Sequence, residues 1–139
     1  MTDPDIFSLL LARLRAECTG FAVVDEAWFA APIDNFDVDT PACLAYLAED
    51  GAAGEAETLR PVQPLTLSYG IWIVTPRDRY RDMRQSVRAA LFGWCPSERH
   101  NPLAYTGGQT TDIRGEFVWW REFWSIDTHI RAADRSITL

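Results

Sequence analysis

Lysine is absent from this chain: all thirteen basic side chains are arginine. Histidine occurs only as His100 and His129, and cysteine only as Cys18, Cys43 and Cys95. Each scarcity narrows the possibilities. Three widely spaced cysteines without a CxxC pair offer neither a disulfide framework nor a zinc motif, and small buried thiols are expected. The two histidines, one in a loop and one near a strand end, belong to no recognisable nucleophile motif, so structural or surface places are expected. GxSxG, GxxxxGK[ST], HExxH and a dinucleotide fingerprint after a strand are all missing. Gly107-Gly108 is too short to cradle a phosphate. No catalytic, cofactor-binding or metal-ligating residue is therefore expected. The chain also lacks any run of 18 or more apolar residues, which excludes a membrane-spanning helix from the expectations. Its start, MTDPDIFSLLLARLR, is acidic ahead of a short apolar run, the wrong polarity for a secretory signal. Synthesis in the cytoplasm fits.

What is present describes an ordinary globular chain of 139 residues, 47% hydrophobic and 24% charged, long enough for one domain with its own core. The charge is uneven. Residues 1–70 carry twelve acids and three arginines, a balance of −9, whereas residues 71–139 carry eight acids and ten arginines, a balance of +2. The acidic total argues against nucleic acid as the primary ligand, because phosphate binding needs net basic surface. Opposite signs in the two halves suit head-to-tail subunit contacts, and arginine suits bidentate interface pairing better than lysine does.

In chain order, residues 5–18 predict a helix, with Ile6, Phe7, Leu10, Leu11, Leu14 and Cys18 on one stripe and Gly20 as a stop. A short strand is expected over 21–24, then a turn capped by Asp25 through Trp28 and Ala31. Asp34, Asp37 and Asp39 form an acidic loop that lacks the glycine and terminal glutamate of a calcium loop, so no metal is expected there. Strands are expected over 41–47 and 65–74, separated by a sixteen-residue exposed loop over 49–64. In the second of these strands Leu67, Tyr69, Ile71 and Ile73 share one face while Trp72 and Val74 share the other, which places it centrally. The clearest helix covers 76–94: Tyr80, Met83, Val87, Ala90, Leu91 and Trp94 make one stripe, with Thr75 or Asp78 as cap. Arg77, Arg81, Arg84 and Arg88 fall on the opposite, solvent side, with Asp78 and Asp82 spaced for ion pairs. They read either as a solvated face or as a surface for an acidic neighbour. A strand interrupted at Gly107-Gly108 is expected over 103–113, with the turn into the last strand at 112–115.

The last strand is the most informative stretch. Residues 115–131, GEFVWWREFWSIDTHIR, hold three of the six tryptophans. Even positions give Val118, Trp120, Trp124, Ile126 and Ile130, interrupted by Glu122 and Thr128. Odd positions give Phe117, Trp119 and Phe123 before turning polar. One strand face is apolar along most of its length and the other along its first half. Three such side chains, at roughly 150–250 Å² each, approach or exceed the ~400 Å² at which a patch implies an interaction site. A small ligand pocket lined by the tryptophans is the alternative; their alternation along strands favours core and interface.

The expected fold is α/β (α+β): a mainly antiparallel sheet of about five strands with two main helices on one face, as a single domain over 1–131 with a short tail over 132–139. Too few helical residues remain to cover the second face, and that shortage predicts an oligomer.

The run RAALFGWCPSERHNPLAYTGG followed by FVWWREFWSIDTHIR resembles the phage tail terminator proteins of Mu-like and related siphophages and prophages. Leu91, Gly93, Trp94 and Pro96 correspond to that family's apolar-Gly-Trp-x-Pro loop. Pro102, Leu103, Tyr105, Gly107 and Gly108 correspond to its Pro-Leu-x-Tyr-x-Gly-Gly strand, and Trp119 and Trp120 to its Trp-Trp strand. The likeness spans roughly residues 71–131, and the acidic, proline-bearing loop over 49–64 departs from it. The resemblance implies a virion protein without turnover. It would form a homo-hexameric ring at the head-proximal end of the tail, assembled in the host cytoplasm. Its partners would be the tail tube protein and a head–tail connector or head completion protein, with no cofactor and no membrane. Phe117, Trp119, Phe123 and the four helix arginines Arg77, Arg81, Arg84 and Arg88 are the expected subunit or partner contacts. Another connector or tail completion protein is the alternative within the virion, and a small enzyme or ligand-binding domain the alternative outside it.

Overall fold

A computed structural model describes residues 5–27, 39–59 and 61–132. The expected turn through Trp28 and Ala31, the loop aspartates Asp34 and Asp37, and the tail beyond Ala132 lie outside the described residues.

Helix α1, Ile6–Glu17, starts where expected because the side chain of Asp5 accepts the Phe7 N–H at 3.2 Å, satisfying one of the orphan donors of the first turn. Its Ile6, Leu10 and Leu14 are buried, and Cys18 continues the stripe just past its end. Strand β1, Val23–Glu26, pairs in parallel with β2, Ala42–Ala52, in the register Val23↔Ala42. Antiparallel pairing joins β2 to β3, Val62–Pro76, with an irregularity between Leu47 and Glu49. A 3-10 turn, Arg77–Arg79, leads into helix α2, Tyr80–Leu91. Strands β4, Ala104–Arg114, and β5, Phe117–Arg131, form an antiparallel hairpin, and β5 pairs along its whole length with β3. The sheet order is β1-β2-β3-β5-β4. The architecture is α+β with a mixed, mostly antiparallel five-stranded sheet, as the sequence predicts.

The two strands with apolar residues on both faces, β3 and β5, are adjacent in the interior of the sheet. Burial of both faces is what that sequence pattern requires. The main core lies on one face. Leu10 and Leu14 of α1 and Met83, Val87 and Leu91 of α2 pack with Tyr69, Ile71, Ile73, Trp120, Trp124 and Ile126. Edge-on ring pairs join Tyr80 to Trp120 and Tyr105 to Trp124, and Arg13 ties the helices by donating to Ala90 O at 3.0 Å. A smaller cluster of Ala42, Leu44 and Val74, flanked by Trp72 and Trp119, occupies the opposite face.

Three expectations need correction. The sixteen-residue loop over 49–64 is largely strand: β2 runs to Ala52 and β3 starts at Val62, leaving 53–61 as the connection. Polar, glycine-bearing Glu49–Ala52 has weak strand propensity, but Leu65, Thr66, Leu67 and Ser68 opposite it extend the ladder. The helix over 76–94 is shorter, and neither Thr75 nor Asp78 caps it with a side-chain bond. The turn into β5 is at Gly115-Glu116, with Gly115 at φ 60, one to three residues later than the 112–115 expected.

Candidate interaction surfaces

The odd-numbered face of β5 carries Phe117, Trp119 and Phe123, and all three are half-buried within the single chain. Part of the cover comes from an arginine that alternation alone left unexplained. Arg121 lies over the Trp72 ring at 4.9 Å and the Phe123 ring at 5.3 Å, because Trp72 is its cross-strand partner. Trp72 meets Trp119 edge-on with centroids 6.2 Å apart, and Arg114 reaches the Trp119 ring at 6.0 Å. Tyr46 lies across Gly70, so closely that a Cβ there would collide with the phenol ring. This face is a thin layer of rings and guanidinium stems, with no described helix over it.

On the helix face of β5, Glu122 is buried at 2% exposure. Its two carboxylate oxygens accept the indole N–H groups of Trp120 at 2.8 Å and Trp124 at 2.5 Å. Even-odd alternation made Glu122 an interruption; in the fold it satisfies both tryptophans that flank it.

The helix arginines divide. Arg77, Arg81 and Arg88 are exposed and make no ion pair among the described residues, so the expected pairing with Asp78 and Asp82 does not form. Arg88 rests its guanidinium 5.2 Å from the Tyr105 ring. Arg84 is half-buried and stacks over Trp120 at 3.9 Å and Tyr80 at 5.1 Å, so it packs on the domain instead of pointing to solvent.

Sequence reading missed two exposed apolar features. Phe92, at 72% exposure, ends α2 beside Gln85, Arg88 and Ala89, and these four line an open depression of about 440 Å³. Its signal was available: Phe92 falls off the apolar stripe of the helix. At the far end of the sheet, Leu59 is 96% exposed and Ile130 54%, the latter lining a second groove of about 250 Å³ with Pro61 and Val62.

Among the described residues the groups capable of chemistry are dispersed. His100 fixes its loop through Ser97 Oγ at 2.7 Å and Thr128 Oγ1 at 3.3 Å, while His129 is exposed at the end of β5. Cys18 and Cys43 are buried and Cys95 is exposed. Burial pushes the Cys43 thiol well above its ordinary pKa, and burial likewise raises Cys18. Among the described residues no three His, Cys, Asp or Glu side chains gather closely enough to hold a metal ion. No described helix is long and apolar enough to cross a membrane.

The model of the phage tail terminator protein family matches residues 1–135. No curated protein is similar enough in sequence to count as a match. Among solved structures, a chain from the virion of a native gene transfer agent particle superposes with a TM-score of 0.57. It is 14% identical and the alignment covers 88% of this chain and 92% of that one. At that identity the likeness is one of fold.

Proposed function

This chain belongs to the phage tail terminator family, and from that premise we propose that it ends tail tube growth by forming a ring on the last tube layer. As a member of that family it is a structural protein of a phage-type tail. The finer reading is a hexamer of identical copies at the head-proximal end of the tail. One side of the ring meets the tail tube protein and the other a head–tail connector or head completion protein. Assembly takes place in the host cytoplasm, and no nucleic acid, membrane or cofactor takes part.

The observation that carries the reading is the family match over nearly the whole chain. The structure supports it physically. Both described helices lie on one face of the sheet, and the other face ends in half-buried rings at Phe117, Trp119 and Phe123. Such surface gains most when a neighbour covers it. Arg77, Arg81 and Arg88 add a cationic surface that makes no ion pair among the described residues. Arg84, stacked on Trp120, contributes by holding α2 in place.

Electron microscopy of particles made without this chain tests the role. Overlong tails of variable length without heads are expected. Headless tails of normal length would move the chain to the connector, and normal particles would remove it from tail assembly altogether.

A further inference from the structure

The connection between β2 and β3 presents Leu59 almost wholly to solvent, with four acids before it in the chain and one base, Arg60, after it. Glu49, Asp50, Glu55 and Glu57 lie just before it with no basic residue among them, and all four are exposed. Hydrogen bonds brace the described residues on either side of Leu59: Ala53 N–H donates to Pro64 O, Glu57 N–H to Val62 O and Ala132 N–H to Pro61 O, each at 2.9 Å.

The groove on α2 has the opposite character. Arg81, Gln85, Arg88 and Phe92 follow each other at helical spacing along one side of the helix and its end, so the depression has an aromatic wall and a cationic rim. Aromatic and arginine side chains are the types that concentrate binding energy in interfaces.

Knob and groove are far apart in one molecule. Arg88 rests on Tyr105, which aligns through Trp124 with Tyr69 of β3. From Tyr69 to Val62, where the loop ends, an extended strand covers about 23 Å. Two copies cannot join symmetrically through the loops alone, since acid would face acid, nor through the arginine faces alone. A head-to-tail contact meets neither obstacle, and its repetition is what closes a ring.

We infer that Leu59 of one copy seats in the Gln85–Arg88–Phe92 groove of the next copy, with Glu55 and Glu57 against Arg81 and Arg88. The inference rests on the ring-forming reading above and specifies which two surfaces meet.

Cross-linking tests it. Chains carrying only Leu59→Cys or only Gln85→Cys, each in a Cys95→Ser background that removes the exposed native thiol, are mixed at high concentration and treated with a short bis-maleimide. Covalent dimer several-fold above that of either chain alone is expected, and a chain with both cysteines should give a ladder ending in one closed species. No excess dimer in the mixture overturns the contact. Charge reversal supplies a second reading by native mass spectrometry. Glu57→Arg and Arg88→Glu should each weaken self-association about tenfold or more, and the two together should restore it. A combined variant no better than the weaker single one overturns the contact as well. Tail length in particles lacking the chain reads the terminator role separately, so a failed cross-link counts against this contact alone.

Discussion

The indole N–H of Trp124 and the carboxylate of Glu122 meet at 2.5 Å on the buried face of one strand, two residues apart. Trp120 completes the arrangement from the other side at 2.8 Å. A buried carboxylate is normally a liability; here it satisfies two indole donors that the surrounding apolar core cannot.

Glu122→Ala should therefore orphan both indoles and destabilise the domain by about 2–6 kcal/mol, since each unmet buried donor costs roughly 1–3 kcal/mol. Glu122→Gln keeps one acceptor oxygen and should lose about half as much. Urea unfolding followed by tryptophan fluorescence measures both, and an Ala variant as stable as the parent would show that the two bonds contribute nothing net.

Gly70→Ala places a methyl group against the Tyr46 ring, which lies across that glycine on the face that no described helix covers. Overpacking of this kind costs about 1–3 kcal/mol. Shortening the ring as well, in the double variant Tyr46→Leu and Gly70→Ala, should recover part of that loss. Additive losses in thermal melts would mean that the two positions do not touch.

Two arginines of one helix should behave differently. Arg84→Ala removes a guanidinium stacked 3.9 Å from the Trp120 ring and should cost about 0.5–2 kcal/mol. Arg81→Ala should stay within about 0.5 kcal/mol in the isolated chain and show its effect in assembly, as tail length or head joining. Equal melting temperatures for the two variants would contradict the division.

Alkaline pH should destabilise the fold. Burial raises the thiol of Cys43 well above its ordinary 9.0, raises Cys18, and raises the Tyr69 phenol. The folded chain thus keeps protons that the unfolded chain releases. Stability is fully present below pH 9.0, the ordinary thiol value, and declines as pH rises above it, by about 1.4 kcal/mol per pH unit for each group that holds its proton. Cys43→Ala should make the decline shallower. At pH 8 only the exposed Cys95 should react with a thiol reagent before unfolding.

Much of the fold was legible because its decisive strands are regular. Val118, Trp120, Trp124 and Ile126 alternate with Phe117, Trp119 and Phe123, and the structure buries the first set and half-buries the second. Leu10 and Leu14 on α1, and Met83, Val87 and Leu91 on α2, stand where helical spacing put them. The family, too, could be read from short motifs in order. The extension of β2 into the acidic stretch was not legible, because those residues become strand through the partner opposite them. Phe92 and Leu59 are apolar side chains left outside the core, and hydropathy alone cannot tell such residues from buried ones.

The sequence alone determined which residues share a face and that two strands must be interior. Tertiary structure alone decided that Arg121 covers Trp72, that Arg84 covers Trp120, that Glu122 serves two indoles and that Tyr46 lies on Gly70. Periodicity is a property of one segment and fixes the direction a side chain takes from its own backbone. What it meets there depends on register with a strand or helix remote along the chain, and that register is set only when the whole sheet forms.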